Sequence, residues 1–74
     1  MTTPNLTLLE RFGDAHSRYS TRTGMLLDIV REPDGRWVAY KMQPGAQVGK
    51  EVEDASSELA LNELLERKLQ SNLL

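Results

Sequence analysis

The chain has 74 residues, 39% of them apolar and 27% charged, with one histidine, no cysteine and a formal net charge of −2. That composition describes one small folded domain, and it excludes disulfides, thiolate metal sites and any histidine cluster around a metal. A domain of this size buries only roughly 60–65% of its unfolded surface, so a ligand cavity of about 300 Å³ or more would hollow out most of its core.

In chain order, the first signals are helical. Thr3-Pro4 resembles a cap followed by proline at the first helical position, and Thr7-Leu8-Leu9-Glu10 fits a capping box slightly further in. Leu8, Leu9 and Phe12 fall at helical spacing. They predict an N-terminal helix that ends between Phe12 and Ser17, around Gly13-Asp14. His16 to Gly24, HSRYSTRTG, then leads toward a hairpin, with Arg18, Tyr19 and Arg22 available at an edge.

The hairpin is the clearest local signal. Two apolar runs, Met25 to Val30 and Trp37 to Met42, flank Glu32-Pro33-Asp34-Gly35. Proline presets the turn and glycine accepts positive φ. A type I turn with a glycine bulge pairs Glu32 with Arg36 and Val30 with Val38. That register puts Leu26, Asp28, Val30, Val38, Tyr40 and Met42 on one face, and Met25, Leu27, Ile29, Trp37 and Ala39 on the other. A helix over 24–31 stopped by Pro33 is the rival reading, disfavoured by the β-branched pair Ile29-Val30. Gln43-Pro44-Gly45 is a further turn, and 47–52 a candidate third strand.

Asp54-Ala55-Ser56-Ser57 supplies caps for a helix from Glu58 to about Gln70, rich in strong helix formers. Its apolar stripe is Leu61, Leu64, Leu65 and Leu69. Residues 71–74 are expected as a frayed tail. The fold expectation is therefore α+β: an N-terminal helix, a two- to three-stranded antiparallel sheet turning at Pro33–Gly35 and a C-terminal amphipathic helix, all in one domain over 1–74.

Charge is unevenly distributed. Residues 1–50 carry seven Lys/Arg against five Asp/Glu, and residues 51–74 carry two against six. The C-terminal segment is the acidic pole. No charged n-region precedes an apolar run, and no apolar stretch has membrane-spanning length, so a cytoplasmic chain is expected.

The candidate chemical motifs fail on their own terms. Gly45-x-x-x-Gly49-Lys50 is one residue short of a phosphate loop, and Glu51 follows where a hydroxyl is required. Asp14 and His16 lack a nucleophile or evident pocket to serve. Catalytic, cofactor and metal sites are all expected to be absent. The helix–strands–helix order across about residues 3–70 resembles the double-stranded-RNA-binding domain, and Thr3-Pro4-Asn5-Leu6-x-Leu8-Leu9-Glu10 resembles its opening helix. The resemblance implies lysines at the start of the last helix, where this chain has Glu51-Val52-Glu53-Asp54-Ala55-Ser56-Ser57-Glu58.

In size and layout the chain also resembles the small accessory regulators made by bacteriophages and mobile elements, which bind host machinery such as RNA polymerase. Met1 to Leu74 reads as a whole single-domain chain. The resemblance implies a non-enzymatic regulator or inhibitor of a larger protein, with host RNA polymerase as one such partner, acting as a monomer or weak homodimer. Arg18, Tyr19, Arg22, Arg36, Trp37, Tyr40, Glu53, Asp54 and Glu58 are the candidate protein-binding residues, being hot-spot types or part of the acidic pole. The alternatives are a nucleic-acid-binding domain using the basic and aromatic hairpin surface and a structural homodimer through the leucine-rich C-terminus.

Overall fold

The computed structural model describes residues 5–42 and 49–74 of the chain. Five strands follow one another: β1 (Leu6–Arg11), β2 (His16–Thr21), β3 (Leu26–Arg31), β4 (Trp37–Lys41) and β5 (Lys50–Ala55). One helix, α1 (Glu58–Gln70), comes after them. All strand pairs are antiparallel, and the spatial order of the sheet is the chain order.

The N-terminal half departs from expectation. Residues 6–11 form a strand where a helix was expected, and the sheet has five strands instead of two or three. The helix–strands–helix resemblance to the RNA-binding domain falls with that helix. Two physical causes account for the misreading. An isolated helix of about ten residues is marginal in water, whereas β1 gains a ladder along β2. In addition, Leu8 lies opposite Tyr19 while Glu10 lies opposite Arg18, so Leu9 is the extra residue of a bulge. An extra residue breaks the period of two, and the leucines then imitate helical spacing.

β2, expected as a lead into the hairpin, is an interior strand paired on both sides. Its side chains alternate: Ser17, Tyr19 and Thr21 are buried, while His16, Arg18 and Ser20 are half-buried. The β2–β3 and β3–β4 connections share one construction. The Thr21 N–H donates to Met25 O at 2.9 Å and the Gly24 N–H to Thr21 O at 3.0 Å. The Glu32 N–H donates to Arg36 O at 2.7 Å and the Gly35 N–H to Glu32 O at 2.9 Å. Gly24 (φ 88°) and Gly35 (φ 92°) take the left-handed position that three-residue hairpin loops require.

The β3–β4 register is the expected one, with Val30 opposite Val38. The third strand expected over 47–52 occurs as β5, displaced to Lys50–Ala55. The Gln43-Pro44-Gly45 turn and the start of that expected strand lie outside the described residues.

The helix forms where expected. Ser57 caps it, its Oγ accepting the Ala60 N–H at 3.1 Å. Leu61 and Leu65 are fully buried against Tyr19, Leu27, Ile29 and Ala39. Leu64 and Leu69 are half-buried at the margins of the stripe. Past the helix, the Leu73 N–H donates to Lys68 O at 2.8 Å, Asn72 takes φ 57°, and Leu74 packs against the core. Glu66 ties the helix to the start of β1, accepting from the Leu6 N–H and Asn5 Nδ2, each at 3.0 Å. Lys68 ties it to β5 through Glu53 at 2.9 Å. The helix covers one sheet face; among the described residues, no element covers the other.

Candidate functional site

The register lays out the uncovered face in rows. Across the middle run Glu10, Arg18, Asp28, Tyr40 and Glu51, each opposite the next. A second row runs His16, Val30, Val38 and Asp54. A third joins Thr7, Ser20 and Leu26, and the Met42 N–H donates to Leu26 O at 3.0 Å. Val38 has no exposed surface although it faces away from the helix, so the side chains around it close over it. The face therefore has an apolar floor with polar and aromatic groups standing above it.

Asp28 organises one side of this face. A carboxylate between Leu27 and Ile29 on an interior strand must find partners, because burial without them costs several kcal/mol. Only 7% exposed, it accepts from Arg18 Nε at 2.8 Å and from a second Arg18 nitrogen at 3.1 Å. His16 Nε2 meets its Oδ2 at 3.2 Å. The Arg18 hydrogen bond is the chief reason the Asp28 carboxyl is held below the ordinary carboxylate range; burial opposes it and the His16 contact adds to it. The same pair raises Arg18. Phe12 completes the cluster, its ring centroid 4.7 Å from that of His16 and 5.5 Å from the Arg18 guanidinium carbon.

Tyr40 and Arg36 organise the opposite side. Tyr40 Oη donates to Glu32, and that hydrogen bond, followed by burial, pushes the phenol above its ordinary range. Arg36 bridges Asp34 at 3.0 Å and Asp54 at 3.1 Å. Both guanidinium groups on this face are thus already matched by carboxylates.

The nine candidate binding residues divide between the two faces and a turn. Arg18, Arg36, Tyr40 and Asp54 come together on the uncovered face. Arg22 is exposed in the β2–β3 turn. Tyr19, 7% exposed, is core and offers nothing at an edge; β2 is interior. Trp37 is half-buried against the core beneath the helix. Glu53 and Glu58 also belong to the helix side, paired with Lys68 and Arg11. Lys68 holds the Glu53 carboxyl below its usual range. The acidic pole is therefore split between the two faces.

Sequence reasoning did not place Phe12, His16 or Glu32 on this face, and it put Leu26 and Asp28 there without counting them among the candidate binding residues. The available signal was Asp28, an ionised group inside an apolar strand, with two basic residues in the HSR triplet able to neutralise it. His16 takes Asp28 as its partner, not Asp14. The hydrogen bonds of the described residues place no nucleophile on the imidazole. They tie Arg18 and His16 to Asp28, with the Phe12 ring against both.

No protein family, curated protein or solved structure matches the chain. No helix of the described residues is long and apolar enough to cross a membrane.

Proposed function

We propose that the chain is a non-enzymatic regulator that acts by binding a larger protein through the sheet face opposite the helix. The observation that carries this reading is the composition of that face. Phe12, Leu26 and Tyr40 stand beside Arg18 and Arg36, each guanidinium held in place by aspartate. Aromatic groups and pre-oriented arginines are the residue types that concentrate binding energy in protein interfaces. Their fixed geometry lowers the ordering cost of association. The complementary partner presents groups of both charges across its middle, flanked by apolar groups that meet Leu26 on one side and Phe12 on the other. A nucleic acid is the poorer match, because phosphate would compete with carboxylates already bound to the arginines.

Affinity capture with the purified chain tests the proposal, using nuclease-treated extract and two control variants. Leu26→Asp places a charge on the uncovered face, and Leu59→Ser changes an exposed leucine on the helix. The expected result is a stoichiometric protein retained by wild type and by Leu59→Ser but lost with Leu26→Asp. Equal recovery with all three chains, or loss of the partner on nuclease treatment, refutes the reading.

A further inference from the structure

The chain contains three lysines, at positions 41, 50 and 68, and all three line a single hollow of about 310 Å³. They come from β4, β5 and α1, and nothing in their sequence spacing requires them to meet. Lys41 lies directly opposite Lys50 in the β4–β5 ladder, an arrangement that is unfavourable for like charges. Lys68 is matched by Glu53. All eleven Asp and Glu side chains lie among the described residues, and none forms an ion pair with Lys41 or Lys50. Among the described residues, Glu51, Val52, Leu73 and Leu74 complete the lining of the hollow.

We propose that this hollow is a binding site for a small organic anion, a carboxylate or phosphate head attached to an apolar body. The head lies between the Lys41 and Lys50 ammonium groups and relieves their mutual repulsion. Lys68, held by Glu53, adds positive potential from the helix side. The apolar body rests against Val52, Leu73 and Leu74. The three lysines lie on the helix side of the sheet, and the hollow meets the uncovered face only at Glu51.

The test is amide-resolved NMR titration of the full chain with hexanoate and with phenyl phosphate, using acetate and inorganic phosphate as heads without bodies. The expected result is saturable shifts at Lys41, Lys50 and Leu73, with at least one bodied anion binding more tightly than its bare head. Which of the two does so identifies the head. Lys41→Gln and Lys50→Gln should each weaken that binding on the order of tenfold, the effect of losing one charge-assisted hydrogen bond. Because each substitution also removes a like-charge opposition, neither should lower the thermal midpoint of the ligand-free chain. The proposal is overturned if neither bodied anion shifts these amides, if the shifts centre elsewhere, or if affinity is unchanged in both variants.

Discussion

Replacing Asp28 by Asn tests whether one carboxylate fixes the uncovered face. The substitution keeps the shape and an acceptor oxygen but removes the charge received by Arg18 and His16. A hydrogen bond to a charged group contributes about 1.5–3 kcal/mol and a neutral one about 0.5–1.5 kcal/mol. Three such contacts weakened together give a gross loss of about 3 kcal/mol. The Arg18 and His16 side chains are each about a third exposed, so water recovers part of this. A net loss of about 2 kcal/mol remains, which lowers the thermal midpoint of a domain this size by on the order of 10 °C.

The pH dependence has a definite sign. Asp28 is depressed in the folded state, so its contribution is complete above the unfolded carboxylate value of about 4. It is lost as pH falls through the lower folded value. Thermal melts of wild type and Asp28→Asn should therefore be well separated at neutral pH and converge in strong acid. Equal midpoints at pH 7, or a gap that persists undiminished in strong acid, would refute the reasoning.

Three further outcomes are expected. The Tyr40 phenol should ionise above the ordinary tyrosine range in an NMR titration of the labelled ring, and Glu32→Gln should bring it back down, because the Glu32 hydrogen bond is the leading cause of the shift. Ser17 Oγ is buried without a partner; Ser17→Ala should leave stability unchanged or raise it by about 1 kcal/mol in denaturant titration, since an unsatisfied hydroxyl costs more than a methyl group. A Cβ at Gly49 would lie 3.0 Å from Lys41 O, Met42 Sδ and Tyr40 Cβ. Gly49→Ala should accordingly cost about 1–3 kcal/mol, read as a lower midpoint in the same titration.

The sequence was legible where turn chemistry or period was strong. Glu32-Pro33-Asp34-Gly35 identified the central hairpin, its register and the division of its faces. The leucine stripe identified the helix. The Thr21-to-Met25 loop has the same backbone construction as the Glu32-to-Arg36 loop, yet it lacks proline and aspartate, so only Gly24 marked it. β1 was hidden by the bulge at Leu9. β2 was hidden by its hydroxyls, which look solvated until pairing on both sides buries Ser17 and Thr21. Of the candidate binding residues, Arg18, Arg36, Tyr40 and Asp54 lie on the uncovered face. Tyr19, Trp37, Glu53 and Glu58 lie on the helix side, and residue type alone carries no information about which face a side chain takes. Asp28 was assigned to the right face, but its partners required knowledge of β2.

The agreement between strand order and chain order has a consequence for synthesis. Each strand pairs with the one made just before it, so the sheet can assemble hairpin by hairpin as the chain emerges. The helix is made after all five strands, and its ties to Asn5, Leu6 and Arg11 bridge 61, 60 and 47 positions. Until it docks, Leu27, Ile29 and Ala39 lack their cover while the opposite face already holds its ion pairs. The interval between completing β5 and docking α1 is thus when the chain exposes apolar surface on the side its finished form conceals.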